Sequence, residues 1–154
     1  MIEYRKASPS DAGELARIRS VFIAEVRVLH PSDERAVPDQ RANLAYFTSA
    51  LADGSFVAWL ALDGREIIAT SGLSFSVVPP AFGCVDGKVA YIMNMFTFPA
   101  YRRQGIAAEL FNRTVGEAKA LGYRKITLKA TDMGRPLYEK YGFKDVHGEM
   151  ELYV

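Results

Sequence analysis

Cysteine and histidine are scarce in this sequence of 154 residues. Cys84 is the only cysteine, which excludes an intramolecular disulfide and favours a reducing, cytoplasmic location. The two histidines, His30 and His147, stand alone in the sequence, so we expect no bound metal. The start of the chain, Met1 to Lys6, also lacks the long apolar core of a secretory signal.

The sequence has no excess of charge of either sign and no long hydrophobic run. Lysine and arginine number 19 against 18 acidic residues, and a net charge of +1 argues against nucleic acid as a partner. No apolar run reaches membrane length, so we expect no membrane partner. The length and a hydrophobic content of 49% predict one globular domain over residues 1–154.

Apolar periodicity and turn residues divide the chain into alternating helices and strands. The predicted strands are 2–7, 55–62, 66–78, 88–98, 125–130 and one or two within 144–153. The predicted helices are 8–26, 38–51, 105–121 and 136–141. This order, β-α-α-β-β-β-α-β-α-β, indicates an α/β fold with a mixed sheet and helices on its faces.

The segment from Pro99 to Ala107 joins the strand 88–98 to the best-patterned helix. A helix N-terminus exposes unpaired N–H groups and a partial positive charge, and Gly105 and Ala107 are small enough to let phosphate oxygens approach. Arg102 and Arg103 add cationic donors. The pattern predicts a diphosphate cradle, and the competing interpretation is a tight turn with two solvated arginines.

Three features of the segment 90–143 resemble the GNAT superfamily of acyl-CoA-dependent N-acetyltransferases. Arg102-x-x-Gly105-x-Ala107 is similar to its Arg/Gln-x-x-Gly-x-Gly/Ala signature, and the strand exit 98–102 resembles the end of its fourth strand. Residues 137–143, Leu-Tyr-Glu-Lys-Tyr-Gly-Phe, resemble its late Leu-Tyr-Glu-Lys-x-Gly-Phe motif. The resemblance implies a mostly antiparallel sheet that is splayed between strands 4 and 5.

The resemblance also implies where the co-substrate acetyl-CoA binds. The backbone of the fourth strand pairs with the pantetheine arm and polarises the thioester, and the loop and helix start hold the pyrophosphate. Thr131 occupies a position where many members carry asparagine near the pantetheine. The cofactor-binding residues implied in this way are Met95, Phe96, Thr97, Arg102, Arg103, Gln104, Gly105, Ile106, Ala107 and Thr131.

Tyr138 matches the family's tyrosine near the thioester sulfur, which implies a general acid or a hydrogen-bond donor to the leaving thiolate. The alternative is an aromatic residue that packs a helix on the sheet, and both roles are compatible. No general base is assigned. Residues 89–98 contain no acid, Asn94 cannot accept a proton at useful pH, and Glu25, Asp132 and Glu149 have no motif behind them.

The sequence therefore predicts an N-acetyltransferase that moves an acetyl group from acetyl-CoA to a primary amine of a small molecule or peptide by direct transfer. The resemblance implies an acceptor pocket between the first two helices and the loop 79–88, and it is compatible with a homodimer. The alternatives are a non-catalytic acyl-CoA sensor of the same fold and a nucleotide or phosphate-ester enzyme that uses the same cradle.

Overall fold

The computed structural model describes residues 1–154. The helices are α1 (Ala12–Leu29), α2 (Gln40–Asp53), α3 (Ile106–Ala120) and α4 (Arg135–Tyr141). The strands are β1 (Ile2–Lys6), β2 (Phe56–Asp63), β3 (Glu66–Val77), β4 (Lys88–Thr97) and β5 (Lys125–Leu128). None of the helices combines the length and the apolar character that crossing a membrane requires.

The strands form one sheet in the order β1-β2-β3-β4-β5, in which only the β4–β5 pair is parallel. The helix α3 supplies the crossover that a parallel pair needs. β5 pairs with β4 only from Val89–Lys125 to Ile92–Leu128, so the last five residues of β4, 93–97, extend beyond it. The prediction of a mixed, mostly antiparallel sheet that opens between strands 4 and 5 is confirmed.

Helices cover the sheet on both faces. Leu15 and Ile18 of α1 and Phe47 of α2 pack on one face in a cluster with Phe56 and Phe96. The opposite face packs against α3 and α4 through a second cluster. Its buried members are Leu73, Ala90, Ile92, Phe111, Val115, Ala118 and Tyr138.

A β-bulge in β4 exchanges the faces to which its side chains point. The register with β3 shifts between the pairs Gly72–Met93 and Thr70–Phe96, and Asn94 has a φ of 59° in the left-handed region. Ile92 and Phe96 would share one face of a regular strand. Here Ile92 packs on the α3 side and Phe96 on the α1–α2 side. The bulge therefore lets one strand serve both layers.

The prediction of one or two strands within 144–153 is wrong. No residue after Tyr141 belongs to a strand or helix, and β5 is an edge of the sheet. Val146, Met150 and Leu152 remain 86%, 93% and 86% exposed. Because these side chains bury so little apolar area, strand pairing here would gain little hydrophobic stabilisation.

Asp11 should make the stability of the fold dependent on acid pH. A capping box begins the first helical segment: Asp11 accepts from the Ser8 N–H at 2.7 Å, and Arg5 donates to both of its carboxylate oxygens at 2.9 Å. Chiefly through the Arg5 contact, these bonds lower the pKa of Asp11 from 3.8 to about 2. The contribution of Asp11 to the free energy of unfolding is complete above the pKa of this group in the unfolded chain, and it is lost as the pH falls through about 2.

We therefore expect Asp11→Asn to lower the free energy of unfolding by about 2 kcal/mol at neutral pH and by much less at pH 2. Denaturant titrations at both pH values measure this difference. Glu14→Gln is the control, because Glu14 forms only an exposed pair with Arg17. Equal losses at both pH values would contradict the assignment.

Candidate active site

The connection from β4 to α3 carries a row of backbone N–H groups that have no acceptor in the protein. The chain leaves β4 through a short turn, Pro99–Tyr101, and Arg103 and Gly105 follow with φ values of 64° and 81°. The N–H groups of residues 103–108 donate no hydrogen bond to any protein atom. Together with the partial positive charge of the helix N-terminus, these donors form a site suited to an anion.

The space in front of these amides is open. A Cβ built on Gly105 meets no atom within 4 Å, so no protein atom closes off the loop at that point. Ala107 is small and half-buried, whereas Ile106 is buried and anchors the first turn of α3 in the core. Gly105 and Ala107, the small residues predicted at the cradle, thus flank Ile106, which was expected among the cofactor-binding residues and whose side chain packs in the core.

The two arginines of the loop have different environments. Arg102 donates through Nε to the Thr97 carbonyl at 2.8 Å and through Nη2 to both Glu25 oxygens at 2.6 and 2.9 Å. These contacts connect the end of β4 to α1. They also occupy the Arg102 guanidinium, which the sequence analysis expected to bind phosphate. Arg103 is exposed and has no side-chain partner, so it is the free cation beside the amides.

The end of β4 offers backbone groups at an open edge. The Phe98 N–H donates to the Ile68 carbonyl of β3, and backbone direction alternates along a strand. The polar backbone groups of Phe96 therefore also face β3, and those of Met95 and Thr97 face the side that β5 leaves uncovered. Of the three strand residues expected at the thioester, Met95 and Thr97 have suitable backbone orientation, and Phe96 contributes a buried ring.

Buried hydrogen bonds hold the bulge beside this edge. Thr70 of β3 donates through its hydroxyl to the Asn94 carbonyl at 2.8 Å. Ser71, the β3 residue between the two shifted pairs, shares a 2.7 Å hydrogen bond with Thr114 of α3. The first bond fixes the backbone of β4, and the second fixes the position of α3 against the sheet.

Tyr138 lies beside the opening between β4 and β5. It is 7% exposed and belongs to the apolar cluster that includes Ile92, Leu128 and Met95. Its ring lies 5.1 Å from that of Phe111, whereas its hydroxyl forms no hydrogen bond with any protein group. Burial raises the pKa of Tyr138, so the hydroxyl keeps its proton at neutral pH. The ring is thus packed and the hydroxyl is available, as both sequence interpretations allow.

Gly134 supports the Tyr138 ring, a contact that the sequence analysis missed. A Cβ on Gly134 would lie 2.8–2.9 Å from the Tyr138 ring and hydroxyl oxygen. The signal in the sequence is a glycine four residues before the tyrosine, where two residues share a helix face. Thr131 shapes the same turn, since its carbonyl accepts from the Gly134 and Arg135 N–H groups at 3.1 and 2.9 Å.

We expect Gly134→Ala to displace the Tyr138 hydroxyl and lower the turnover rate at this site by about tenfold, with little change in ligand affinity at the amides of 103–108. The residue has an ordinary helical φ of −84°, so steric contact with the ring is the direct effect of the new methyl group. Steady-state kinetics and a binding titration separate the two quantities. Gly116→Ala, where a Cβ meets no atom within 4 Å, should leave both unchanged. A fully active Gly134→Ala would contradict the role of this glycine.

The candidate bases remain without support from geometry. Asn94 accepts a hydrogen bond from Arg19 at 2.9 Å, and the Glu25 carboxylate is paired with Arg102. Asp132 and Glu149 are exposed. Arg102 holds Glu25 near the end of β4, but this carboxylate is already ion-paired, so no general base is assigned.

The chain is similar to a known family and to several solved structures. The sequence model of the acetyltransferase (GNAT) family matches residues 17–143. The structure is similar to that of a protein from Clostridium acetobutylicum described as a predicted acetyltransferase, solved with acetyl-CoA. The two share 36% identity over 99% of this chain and 96% of that one, with a TM-score of 0.86. No curated protein matches.

Two further solved structures are similar. A GCN5-related N-acetyltransferase from Ralstonia eutropha has 26% identity, 99% coverage of both chains and a TM-score of 0.82. Glucosamine-6-phosphate N-acetyltransferase from Arabidopsis thaliana shares the fold, with 17% identity over 99% of this chain and 98% of that one, and a TM-score of 0.69.

The open sheet, the unpaired amides before α3 and these similarities define an acyltransferase domain. The chain belongs to the acetyltransferase (GNAT) family.

Proposed function

We propose that this protein transfers an acetyl group from acetyl-CoA to the primary amine of a small molecule or peptide. The observation that carries the proposal is the row of unpaired amides at 103–108 directly after the open edge of β4. One surface thereby combines donors for a diphosphate with donors for an extended amide-containing chain. A nucleotide diphosphate linked to pantetheine matches this surface, because its diphosphate would lie at the amides and its pantetheine arm along the edge of β4.

Each part of the site has a task in this reaction. The amides of 103–108 hold the diphosphate, with Arg103 as the free cation and Arg102 as a positioning residue that fixes the strand exit. The Met95 N–H faces the open edge, and we assign it as the donor that stabilises the oxyanion. The Thr97 N–H pairs with the pantetheine arm, since the Thr97 carbonyl already accepts from Arg102, and Thr131 shapes the turn that carries Gly134.

The acceptor nitrogen forms a C–N bond with the acetyl carbon as the C–S bond breaks, so the nitrogen must lose protons and the leaving thiolate must gain one. Tyr138 donates its hydroxyl proton to the leaving thiolate and recovers a proton from solvent. The acceptor ammonium releases one proton to water before attack, and its nitrogen releases a second to water as the amide forms. A lysine-like ammonium with a pKa near 10.4 lies about 3.4 units above neutral pH, which corresponds to about 4.6 kcal/mol. An acceptor amine of lower pKa would reduce this barrier.

The position of Cys84 supports direct transfer rather than a cysteine acyl-enzyme. The thiol is 3% exposed and contacts the Lys88 carbonyl at 3.5 Å, at the start of β4. Asn94 lies six residues further along the strand, about 20 Å away at about 3.3 Å per residue. The loop 79–88 is at this same distant end, so in the proposal α1 and α2 line the acceptor side and the loop does not.

The decisive experiment measures release of the CoA thiol from acetyl-CoA over a panel of primary amines, together with thermal stability. We expect acetyl-CoA to raise the melting temperature and at least one amine to release thiol at a rate above that of hydrolysis. A ligand at about 100 times its Kd adds about 2.7 kcal/mol to the free energy of unfolding. Binding without release on any amine would favour a sensor, and stabilisation by ATP or NAD but not CoA would favour a nucleotide enzyme.

A further inference from the structure

Arg19 is a half-buried cation in the middle of α1 that has no carboxylate partner. Its Nη1 donates to the Asn94 Oδ1 at 2.9 Å, and no Asp or Glu oxygen lies within ion-pair distance. Burial lowers the pKa of Arg19, and the groups that oppose this effect are the Tyr46 and Tyr91 phenols, whose own pKa values burial raises, so they carry no charge at neutral pH. A buried guanidinium without a counter-ion is unfavourable unless a ligand supplies one.

Asn94 adds a second unsatisfied donor next to this cation. Arginine can only donate hydrogen bonds, so the atom that faces Nη1 is the amide oxygen and the other is Nδ2. Asn94 is 4% exposed, and its Nδ2 has no hydrogen-bond partner. The pair Arg19–Asn94 therefore has an excess of donors, and oxygen acceptors are what it lacks.

This pair lies on the face of β4 opposite the one that Tyr138 occupies. Asn94 is the bulge residue that precedes Met95, and it contacts α1, whereas Tyr138 packs with α3 on the other face. An acceptor amine must reach the thioester from the side that the cofactor and α3 leave free. The α1 side of β4 beside the bulge, where Arg19 is only half-buried, meets this requirement.

The other charged groups on this side are of both signs. Lys129, Glu149, Glu151 and Arg19 all act on the Tyr91 phenol, which projects from β4. Lys129 forms an ion pair with Glu151, whereas Glu149 and Arg19 have no ion-pair partner. Arg19 is therefore the unpaired positive charge held by the fold on this side, whereas Glu149 is exposed.

We propose that the acceptor is an amine that also carries an anionic carboxylate or phosphate group, and that Arg19 binds this group. The inference rests on the proposed acetyl transfer and names its substrate class. A guanidinium donates two parallel hydrogen bonds to a carboxylate or phosphate. Arg19 is thus a specificity-determining residue, and polyamines and neutral amines are disfavoured substrates.

The test compares matched amines that differ in the anionic group. Amino acids, their C-terminal amides and short aminoalkyl phosphates are assayed by thiol release with the full chain and saturating acetyl-CoA. The carboxylate or phosphate arm should exceed the amide arm in kcat/KM by about tenfold to a hundredfold, the effect of charge-assisted hydrogen bonds. Whichever anionic arm is faster identifies the group.

Arg19→Gln should abolish this preference while the KM for acetyl-CoA changes by less than about twofold. Arg19→Lys keeps the positive charge but lacks the planar pair of N–H donors, so it should retain part of the preference. It also keeps the test valid if the glutamine variant does not fold. Arg17→Gln, two residues away and paired only with exposed Glu14, is the matched control and should keep the full preference.

The outcomes separate the two proposals. Thiol release with neutral amides as fast as with carboxylates, or a preference that survives in both Arg19 variants, would overturn the role of Arg19 and leave acetyl transfer intact. No release with any amine would overturn acetyl transfer, and the substrate class with it.

Discussion

Replacing Gly105 by valine should weaken acetyl-CoA binding by at least about tenfold and reach about a hundredfold. The residue has a φ of 81°, a conformation that costs an L-residue roughly 1–2 kcal/mol. The new side chain would also stand in the open space before the amides of 103–108. Loss of one hydrogen bond to a charged phosphate, about 1.5–3 kcal/mol, accounts for the expected range.

Gly122→Val is the matched control for this variant. Gly122 has a φ of 85°, and a Cβ there also meets no atom within 4 Å. It follows the other end of α3, about 25 Å away at about 1.5 Å per residue. Both variants should lose similar stability, but only Gly105→Val should lose affinity in a calorimetric titration. Unchanged affinity in a folded Gly105→Val protein would refute the cradle.

Replacing Tyr138 by phenylalanine should lower kcat by about a hundredfold, at the lower end of what general acid catalysis contributes. The ring contacts with Phe111 and Phe143 persist, so the melting temperature and the acetyl-CoA affinity should change little. Single-turnover kinetics with a fixed amine measure the effect. Tyr141→Phe is the control, because this exposed tyrosine also contacts Phe111.

The pH dependence of Tyr138 has a defined sign. Burial raises its pKa, so the proton-donating form persists to a higher pH than in a solvated tyrosine. The rate should therefore fall only as the pH rises through this raised pKa, and the alkaline limb should be absent in Tyr138→Phe. Equal alkaline limbs in both proteins would assign that limb to another group.

Most of the fold could be predicted because each element has its own pattern in the sequence. The apolar run 88–98 and the helical spacing of 105–121 correspond to Lys88–Thr97 and Ile106–Ala120 in the structure. The predicted strands within 144–153 failed for a physical reason. Alternating apolar residues favour a strand only if a partner covers them, and Met150 remains exposed.

The site could be predicted only where its function lies in the backbone. Gly105 and the amides after it follow from local sequence, but the direction of the Arg102 side chain depends on Glu25, 77 positions away. The role of Arg19 was not predicted, because the sequence does not distinguish it from a helix arginine that points into solvent. Its contact with Asn94 spans 75 residues and depends on a bulge that pairing with β3 creates.

The bulge also narrows the choice of amino acid at position 94. A φ of 59° is tolerated by glycine, asparagine and aspartate, and glycine has no oxygen to accept from Arg19. Aspartate would accept that bond, but it would neutralise the guanidinium and remove its attraction for an incoming anion. Of these three residues, only asparagine combines this backbone conformation, the contact with α1 and an uncompensated positive charge, so substitution at position 94 should alter both the local backbone and the electrostatic potential beside Arg19.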